Sequence, residues 1–183
     1  MAVGPAATAP KTPVATPLVL GIDPGLRACG WGLVRGGTKP SYVACGVIKP
    51  RPRDSIGDRL RVIHEEVSRQ IATYSPDEMA IEDPFVGALA PASALAIGQA
   101  RAVALLAASQ AGIEAALYAP RAVKAAVSSY GASDKRQVQA MVRILLELDV
   151  APEPWDAADA LAVDLCHLSQ RRMALLLAKG AHT

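Results

Sequence analysis

Short apolar runs at the start of this chain predict a set of paired strands. Leu18–Asp23 is a continuous apolar run that ends on a carboxylate, which is typical of a strand buried on both faces. A Pro-Gly pair follows and predicts a turn, and the small residues of 28–32 allow a return strand to pack closely against the first. The run Ser41–Ile48 predicts a third strand. The first hairpin therefore carries Asp23 at its mouth.

The rest of the chain alternates between helical and strand patterns. Apolar residues recur at helical spacing over 56–71, and the Ser75-Pro76 pair ends that helix. A second apolar run leads into Glu82, which repeats the pattern seen at Asp23. Further along, the patterns predict helices at 92–111, 121–128, 134–148 and 154–172, and a last strand at 113–118. We therefore predict an α/β fold in which helices cover both faces of a mixed five-stranded sheet.

Composition narrows the class of protein. The 183 residues are 51% hydrophobic, which is enough for one folded domain and too few residues for two. The net charge of +2 does not by itself predict a polyanionic partner. Three cysteines form no CxxC pair and leave one over, which indicates structural thiols in a reducing cytoplasm. We predict a disordered leader at 1–17, a folded domain at 18–172 and a flexible tail at 173–183.

The segment 92–111 is long enough to span a membrane, but its centre is polar. Gln99 and Arg101 lie there, and a charge at the centre of a lipid bilayer is costly. We therefore predict a buried helix of a soluble protein and no membrane partner.

The last predicted helix opens with two carboxylates. Asp156 and Asp159 are three residues apart, so they share one helix face. Both lie near the positive end of the helix dipole, which offsets part of their mutual repulsion. The small Ala157 and Ala158 allow this helix to approach the sheet closely.

Four carboxylates therefore have reasons to converge: Asp23, Glu82, Asp156 and Asp159. Oxygen ligands without histidine or cysteine suit Mg²⁺ or Mn²⁺ better than zinc. Two such ions about 3.5–4 Å apart can activate a water and stabilise a leaving oxygen in phosphoryl transfer. Taken singly, a strand-end Asp is often a turn residue and a helix-start Asp is often a cap. Their combination favours a catalytic metal site.

Four motifs in this order and spacing resemble the RuvC-type Holliday junction resolvases: GIDPG with its Gly-rich return strand, AIE followed by a loop Phe, SALAIGQAR and DAADALA. The resemblance spans about 17–170. It implies an RNase H-like fold and a homodimer that resolves four-way DNA junctions in recombination and repair. It further implies paired, symmetric nicks in strands of like polarity, two Mg²⁺ or Mn²⁺ ions per active site, ends with 5′-phosphate and 3′-hydroxyl, and a RuvA–RuvB branch-migration complex as partner.

The same resemblance implies roles for individual residues. The four carboxylates become the metal-binding catalytic groups, and Lys124 and Lys135 match basic positions near the scissile phosphate. Phe85 matches a junction-facing aromatic, whose stacking on an unpaired base would contribute about 1–3 kcal/mol. The full set of predicted DNA contacts is Phe85, Arg101, Arg121, Lys124, Lys135 and Arg136.

The chain departs from the family pattern after Glu82. In the family a Gln is common directly after that acid. This chain instead has Asp83-Pro84, followed by an apolar stretch at 87–91. We therefore expect altered base readout and an influence of Asp83 on metal binding. We also expect the helix at 92–111 to form the dimer interface, because it lacks a polar face of the usual width.

Three other functions remain open on sequence alone. Actin-like ATPases and sugar kinases open with a similar strand, acid and Gly-rich hairpin, but they need two such domains. A non-catalytic junction-binding module would not need the complete carboxylate set. An RNase H-like nuclease that acts on RNA would share the fold and the acids.

Overall fold

The computed structural model describes residues 16–83, 90–128 and 134–180. Its elements in chain order are β1 (Leu18–Asp23), β2 (Cys29–Arg35), β3 (Ser41–Ile48), α1 (Ile56–Tyr74), β4 (Glu78–Glu82), α2 (Pro91–Gln110), β5 (Ala115–Tyr118), α3 (Pro120–Val127), α4 (Lys135–Leu145) and α5 (Trp155–Gly180).

The five strands form one mixed sheet in the order β3-β2-β1-β4-β5. β1 pairs with β2 antiparallel and with β4 parallel, and β5 extends the sheet parallel to β4. The parallel pairing places Ile22 opposite Ile81, the residues just before Asp23 and Glu82. Both acids therefore lie at the same edge of the sheet. The predicted mixed five-stranded sheet is confirmed.

Helices cover both faces of the sheet, as predicted. Leu20 and Ile22 of β1 pack with α1 and α2 in one apolar cluster. Val19 points the other way and packs with side chains of α3, α4 and α5 in a second cluster. β1 is thus buried on both faces, which explains why its sequence is a continuous apolar run rather than an alternating one.

Glycines on β1 and β2 allow α5 to lie directly against the sheet. A Cβ atom added at Gly30 would collide with the carbonyl oxygen of Asp156, and one at Gly21 with that of Ala160. Ala160 itself is fully buried. Because neither the strands nor the helix carries a large side chain at this contact, the start of α5 reaches the end of β1.

Several predicted element ends differ from the structure, and the end of α5 differs most. The last helix does not end near Arg172 but continues to Gly180, so residues 173–180 are helical rather than a flexible tail. The residues Met173–Lys179 contain no proline or glycine, and most of them are good helix formers. α2 ends at Gln110, and Gly112, with φ of 66°, follows it in the left-handed conformation. Residues 1–15 of the expected leader lie outside the described residues.

α2 is the one helix in the described part of the chain that is long and apolar enough to cross a membrane, with a mean hydropathy of 1.4. It is less buried than we expected, because only 22% of that apolar window is buried. Ala100 and Ala104 face the core, whereas Leu95 and Leu106 are 64% and 49% exposed. Arg101 of α2 forms an ion pair with Asp83, the residue that follows β4. The helix therefore packs on the fold with one side and exposes apolar side chains on the other.

Candidate active site

Three elements bring the four predicted acids to one edge of the sheet. Asp23 is the last residue of β1, Glu82 is the last residue of β4, and Asp156 and Asp159 lie in the first two turns of α5. All four are partly buried rather than fully enclosed. The close approach of α5 to the first hairpin is what joins the helix acids to the strand acids.

The acids are near enough to repel one another. Burial raises the pKa of Asp23 well above its usual range, and the charges of Glu82, Asp159 and Asp156 raise it further. Burial, together with the charge of Asp159, raises the pKa of Glu82 to about 7. Burial also raises the pKa of Asp159. This edge therefore concentrates negative charge that the protein alone does not neutralise.

Two lysines offset part of this charge. Lys135, the first residue of α4, donates a hydrogen bond from Nζ to Oδ2 of Asp159 at 3.2 Å. Burial disfavours its charged form, but the charge of Asp159 and this hydrogen bond outweigh burial and raise the pKa of Lys135. The charges of Lys124 and Lys135 both lower the pKa of Glu82. The acids thus face a cationic flank formed by α3 and α4.

The donor set fits hard divalent cations. The four side chains offer only carboxylate oxygens, the ligands that Mg²⁺ and Mn²⁺ prefer. A cation would also relieve the repulsion that raises the pKa of Asp23 and Glu82. Across residues 16–83, 90–128 and 134–180, no group of three or more His, Cys, Asp or Glu side chains is already arranged to hold an ion.

A family model for "Crossover junction endodeoxyribonuclease RuvC" matches residues 19–167 of this chain. The chain belongs to the RuvC family. It is 43% identical over 159 residues to RuvC of Azorhizobium caulinodans, which covers 86% of this chain and 93% of that protein. It is 48% identical over 155 residues to RuvC of Maricaulis maris, covering 84% and 92% respectively. The predicted family and enzyme class, a hydrolytic endodeoxyribonuclease that resolves Holliday junctions, are confirmed.

Solved structures agree with this assignment. The structure of T. thermophilus RuvC in complex with a Holliday junction substrate superposes with a TM-score of 0.79 and 34% identity, covering 86% of this chain and 96% of that one. The yeast mitochondrial Holliday junction resolvase Ydc2 superposes with a TM-score of 0.58 over 82% of this chain and 77% of that one. At 12% identity, Ydc2 shows the fold alone. The predicted RNase H-like fold is confirmed.

The acid that departs from the RuvC pattern points away from the cluster. Asp83 forms an ion pair with Arg101 of α2, and its backbone N–H donates to the carbonyl oxygen of Tyr118 at 2.7 Å. Asp83 is not among the charges that shift the pKa of Asp23 or Glu82. The influence of Asp83 on metal binding therefore stays a prediction, and its carboxylate is paired with Arg101 in the metal-free protein. This ion pair also gives Arg101 a protein partner.

The predicted DNA contacts occupy different positions around the site. Arg121 and Lys124 lie one turn apart on α3, and Lys135 and Arg136 begin α4. Arg121, Lys135 and Arg136 are exposed, and Lys124 is partly buried. Phe85 lies outside the described residues.

A buried polar network ties α5 to the sheet on the same face as Glu82. Nε2 of His167 donates to Oε2 of Glu78 at 2.6 Å, since a carboxylate can only accept, and Nδ1 forms a hydrogen bond with the Tyr118 hydroxyl at 2.8 Å. Nε of Arg171 donates to Oε1 of Glu78 at 2.9 Å. His167 therefore has a structural role. Because it joins α5 to β4 and β5, the network fixes how α5 sits above Glu82.

Sequence reasoning missed two residues of α5. Trp155 directly precedes Asp156 and is 38% exposed, and an aromatic residue beside an acidic pair was a signal we did not use. Asp164 is fully buried against Gly21 and Gly32, and within the described residues neither of its carboxylate oxygens has a hydrogen-bond partner. Burial raises its pKa well above the usual range, and the nearby Gly21 backbone N–H, which does not reach the geometry of a full hydrogen bond, offsets this only in part. No local pattern distinguishes it from a surface acid.

Proposed function

We propose that this RuvC-family chain cuts four-way DNA junctions at the edge formed by Asp23, Glu82, Asp156 and Asp159, using two Mg²⁺ or Mn²⁺ ions. The observation that carries the proposal is the convergence of these acids from β1, β4 and α5, with raised pKa values for Asp23, Glu82 and Asp159. Such a cluster is costly without cations and is suited to hold them.

The bound ions would supply an activated water and stabilise the leaving oxygen of the phosphodiester. Glu82, whose pKa is raised to about 7, is partly protonated in the metal-free protein near neutral pH, and this proton must leave when the carboxylate binds an ion. Lys135 holds Asp159 in position through its hydrogen bond. In the complex it would be close enough to the acids to neutralise a phosphate there.

We propose phosphate contacts for the basic residues of α3 and α4. Lys124 and Lys135 are the best supported, because their charges act on Glu82. Arg121 and Arg136 would extend the contact along the duplex arms, since both are exposed on the first turns of their helices. Arg101 could contact DNA only by exchanging its ion pair with Asp83 for a phosphate. Stacking by Phe85 on a junction base remains a proposal from the family resemblance.

A homodimer would place two such sites on one junction. The exposed apolar side of α2, which carries Leu95 and Leu106, supports this helix as the interface, because burying it removes apolar area from water. Each protomer would then nick one of two strands of like polarity and leave a 5′-phosphate and a 3′-hydroxyl. We further propose a cytoplasmic location and cooperation with a RuvA–RuvB branch-migration complex, both from family membership.

Cleavage of a labelled four-way junction tests this function. We expect symmetric nicks with Mg²⁺ or Mn²⁺ and none with EDTA. Asp23→Asn should abolish nicking and leave junction binding largely intact, because it removes a ligand and not a phosphate contact. Plain duplex, an RNA–DNA hybrid and ATP serve as alternative substrates. Equal cutting of the hybrid, or binding without nicks under every metal condition, would contradict the proposal.

A further inference from the structure

Trp155 exposes an aromatic surface beside the acids. It is the first residue of α5 and 38% of it remains exposed, although a side chain of this size and apolarity usually packs away from water. It lines a concave surface of about 420 Å³ together with Asp134, Lys135, Arg136 and Asp156. One wall of this concavity is therefore aromatic, one is cationic, and one is shared with the metal-binding edge.

Two acids and two bases line the concavity, and its Lys135–Arg136 side favours a phosphate once Asp156 is matched by a metal ion. Lys135 and Arg136 are exposed and contribute positive charge. The acid on their side, Asp134, accepts a hydrogen bond from the backbone N–H of Gln137 at 2.8 Å and caps α4, so its charge is directed to that helix end. A nucleotide combines the two required parts, because its base can stack on an indole while its phosphate meets the cations.

We propose that Trp155 stacks on a base of the junction next to the phosphodiester that is cut, while Lys135 and Arg136 neutralise the adjoining phosphate. The inference rests on the proposed function and extends it to a residue that binds substrate on the α5 side of the site. Because Trp155 adjoins Asp156 in the chain, a base held on the indole would set the position of the neighbouring phosphate relative to the acids.

Fluorescence of Trp155 can test this contact directly. The chain has two tryptophans, so Trp31→Phe leaves Trp155 as the only indole. Phenylalanine keeps an aromatic ring against Tyr74, whose ring centroid lies 6.3 Å from that of Trp31. We would titrate this single-tryptophan chain, in the Asp23→Asn background, with a four-way junction. Stacking predicts quenched emission that saturates with binding. The fluorescence of a junction that carries 2-aminopurine beside the mapped nick should fall when a chain with Trp155 binds it. It should not fall when Trp155→Leu binds.

Variant binding separates stacking from charge. Trp155→Ala should weaken junction binding about 5- to 150-fold without changing the dependence of affinity on salt. Trp155→Phe should keep most of the junction affinity that Trp155→Ala loses, because a phenyl ring also stacks on bases. Arg136→Ala should instead lower the slope of log affinity against log salt by about 1. Trp31→Phe alone serves as the matched control and should bind and nick as the parent does.

The outcomes distinguish this inference from the function on which it rests. Unchanged Trp155 emission at saturating junction, or equal binding by Trp155→Phe and Trp155→Leu, would overturn the stacking role while symmetric nicking still stood. Failure of the Trp31→Phe chain and the parent to bind or nick the junction would instead refute the proposed function. If Trp155→Ala does not fold, the fluorescence titration and the Phe and Leu variants still decide.

Discussion

Replacing Asp164 with alanine should stabilise the metal-free protein at neutral pH and above. Asp164 is 0% exposed, and within the described residues neither carboxylate oxygen has a hydrogen-bond partner. Gly21 and Gly32 lie directly against it. The folded chain therefore disfavours ionisation of this acid, whereas the unfolded chain ionises it freely in water.

The sign and size of the effect follow from linkage. Burial raises the pKa of Asp164 in the folded state, so above about pH 4 the folded state binds the proton more tightly than the unfolded state. The free energy of unfolding of the parent then falls by about 1.4 kcal/mol per pH unit until the folded pKa is reached. Unmade buried hydrogen bonds cost about 1–3 kcal/mol more. We therefore expect Asp164→Ala to be about 1–3 kcal/mol more stable than the parent at pH 8, and this difference to shrink toward pH 5.

Urea unfolding of parent and variant at pH 5, 6, 7 and 8 in EDTA measures this difference. Asp23 and Glu82 also titrate, but Asp164 is not among the charges that shift their pKa values, so their contributions cancel in the comparison. Asp164→Asn is the control, because it removes the titration and keeps an unsatisfied polar group. A stability difference that does not change with pH, or a variant less stable than the parent at pH 8, would refute the reasoning.

Three further predictions concern the active site. Because the pKa of Glu82 is about 7, its proton competes with the ion, and the affinity for Mn²⁺ measured by calorimetry should fall about tenfold between pH 8 and pH 6. In Glu82→Gln this contribution to the pH dependence of Mn²⁺ affinity should be absent. Lys135→Ala removes an exposed ion pair with Asp159, so the free energy of unfolding measured in urea should change by only about 0–1 kcal/mol. The rate of junction nicking should fall at least tenfold. The exchange Asp83→Arg with Arg101→Asp should restore nicking that either single change impairs, because it rebuilds their ion pair in reverse.

The exposed pair Arg69 and Glu66 on α1 is the matched control for that charge exchange, since its reversal should leave nicking unchanged. An Arg101 that acts as a phosphate contact predicts a different result. The double exchange would then stay impaired, and Arg101→Asp would lower the salt dependence of junction binding. Nicking unaffected by Lys135→Ala, or Mn²⁺ affinity independent of pH over this range, would contradict the other two predictions.

Local patterns were sufficient to predict most of the fold. β1 is recognisable because it is buried on both faces, and α1 because its apolar residues repeat at helical spacing. The acids at the ends of β1 and β4 could be identified for the same reason. The distance of these acids from α5 could not be predicted. It depends on glycine contacts between residues far apart in the chain, such as Gly30 with Asp156.

The unpredicted parts of the site depend on long-range contacts. His167 bonds Tyr118 and Glu78, which are 49 and 89 residues away in the chain, and no periodicity encodes such pairs. Asp164 looks like an ordinary helix acid until its contact with Gly21 is known. Arg101, at the end of the SALAIGQAR motif, was predicted as a DNA contact, and only the fold shows that Asp83 lies beside it.

A Mn²⁺ titration of thermal unfolding for the parent and Asp23→Asn tests most directly whether these acids hold metal. If the four carboxylates bind the ion, the parent should gain about 2.7 kcal/mol at a hundredfold excess over the dissociation constant, seen as a rising Tm. Asp23→Asn should be at least as stable as the parent in EDTA, because one repelling charge is gone, and should gain little from Mn²⁺. An equal rise of Tm with Mn²⁺ in both proteins would contradict the account.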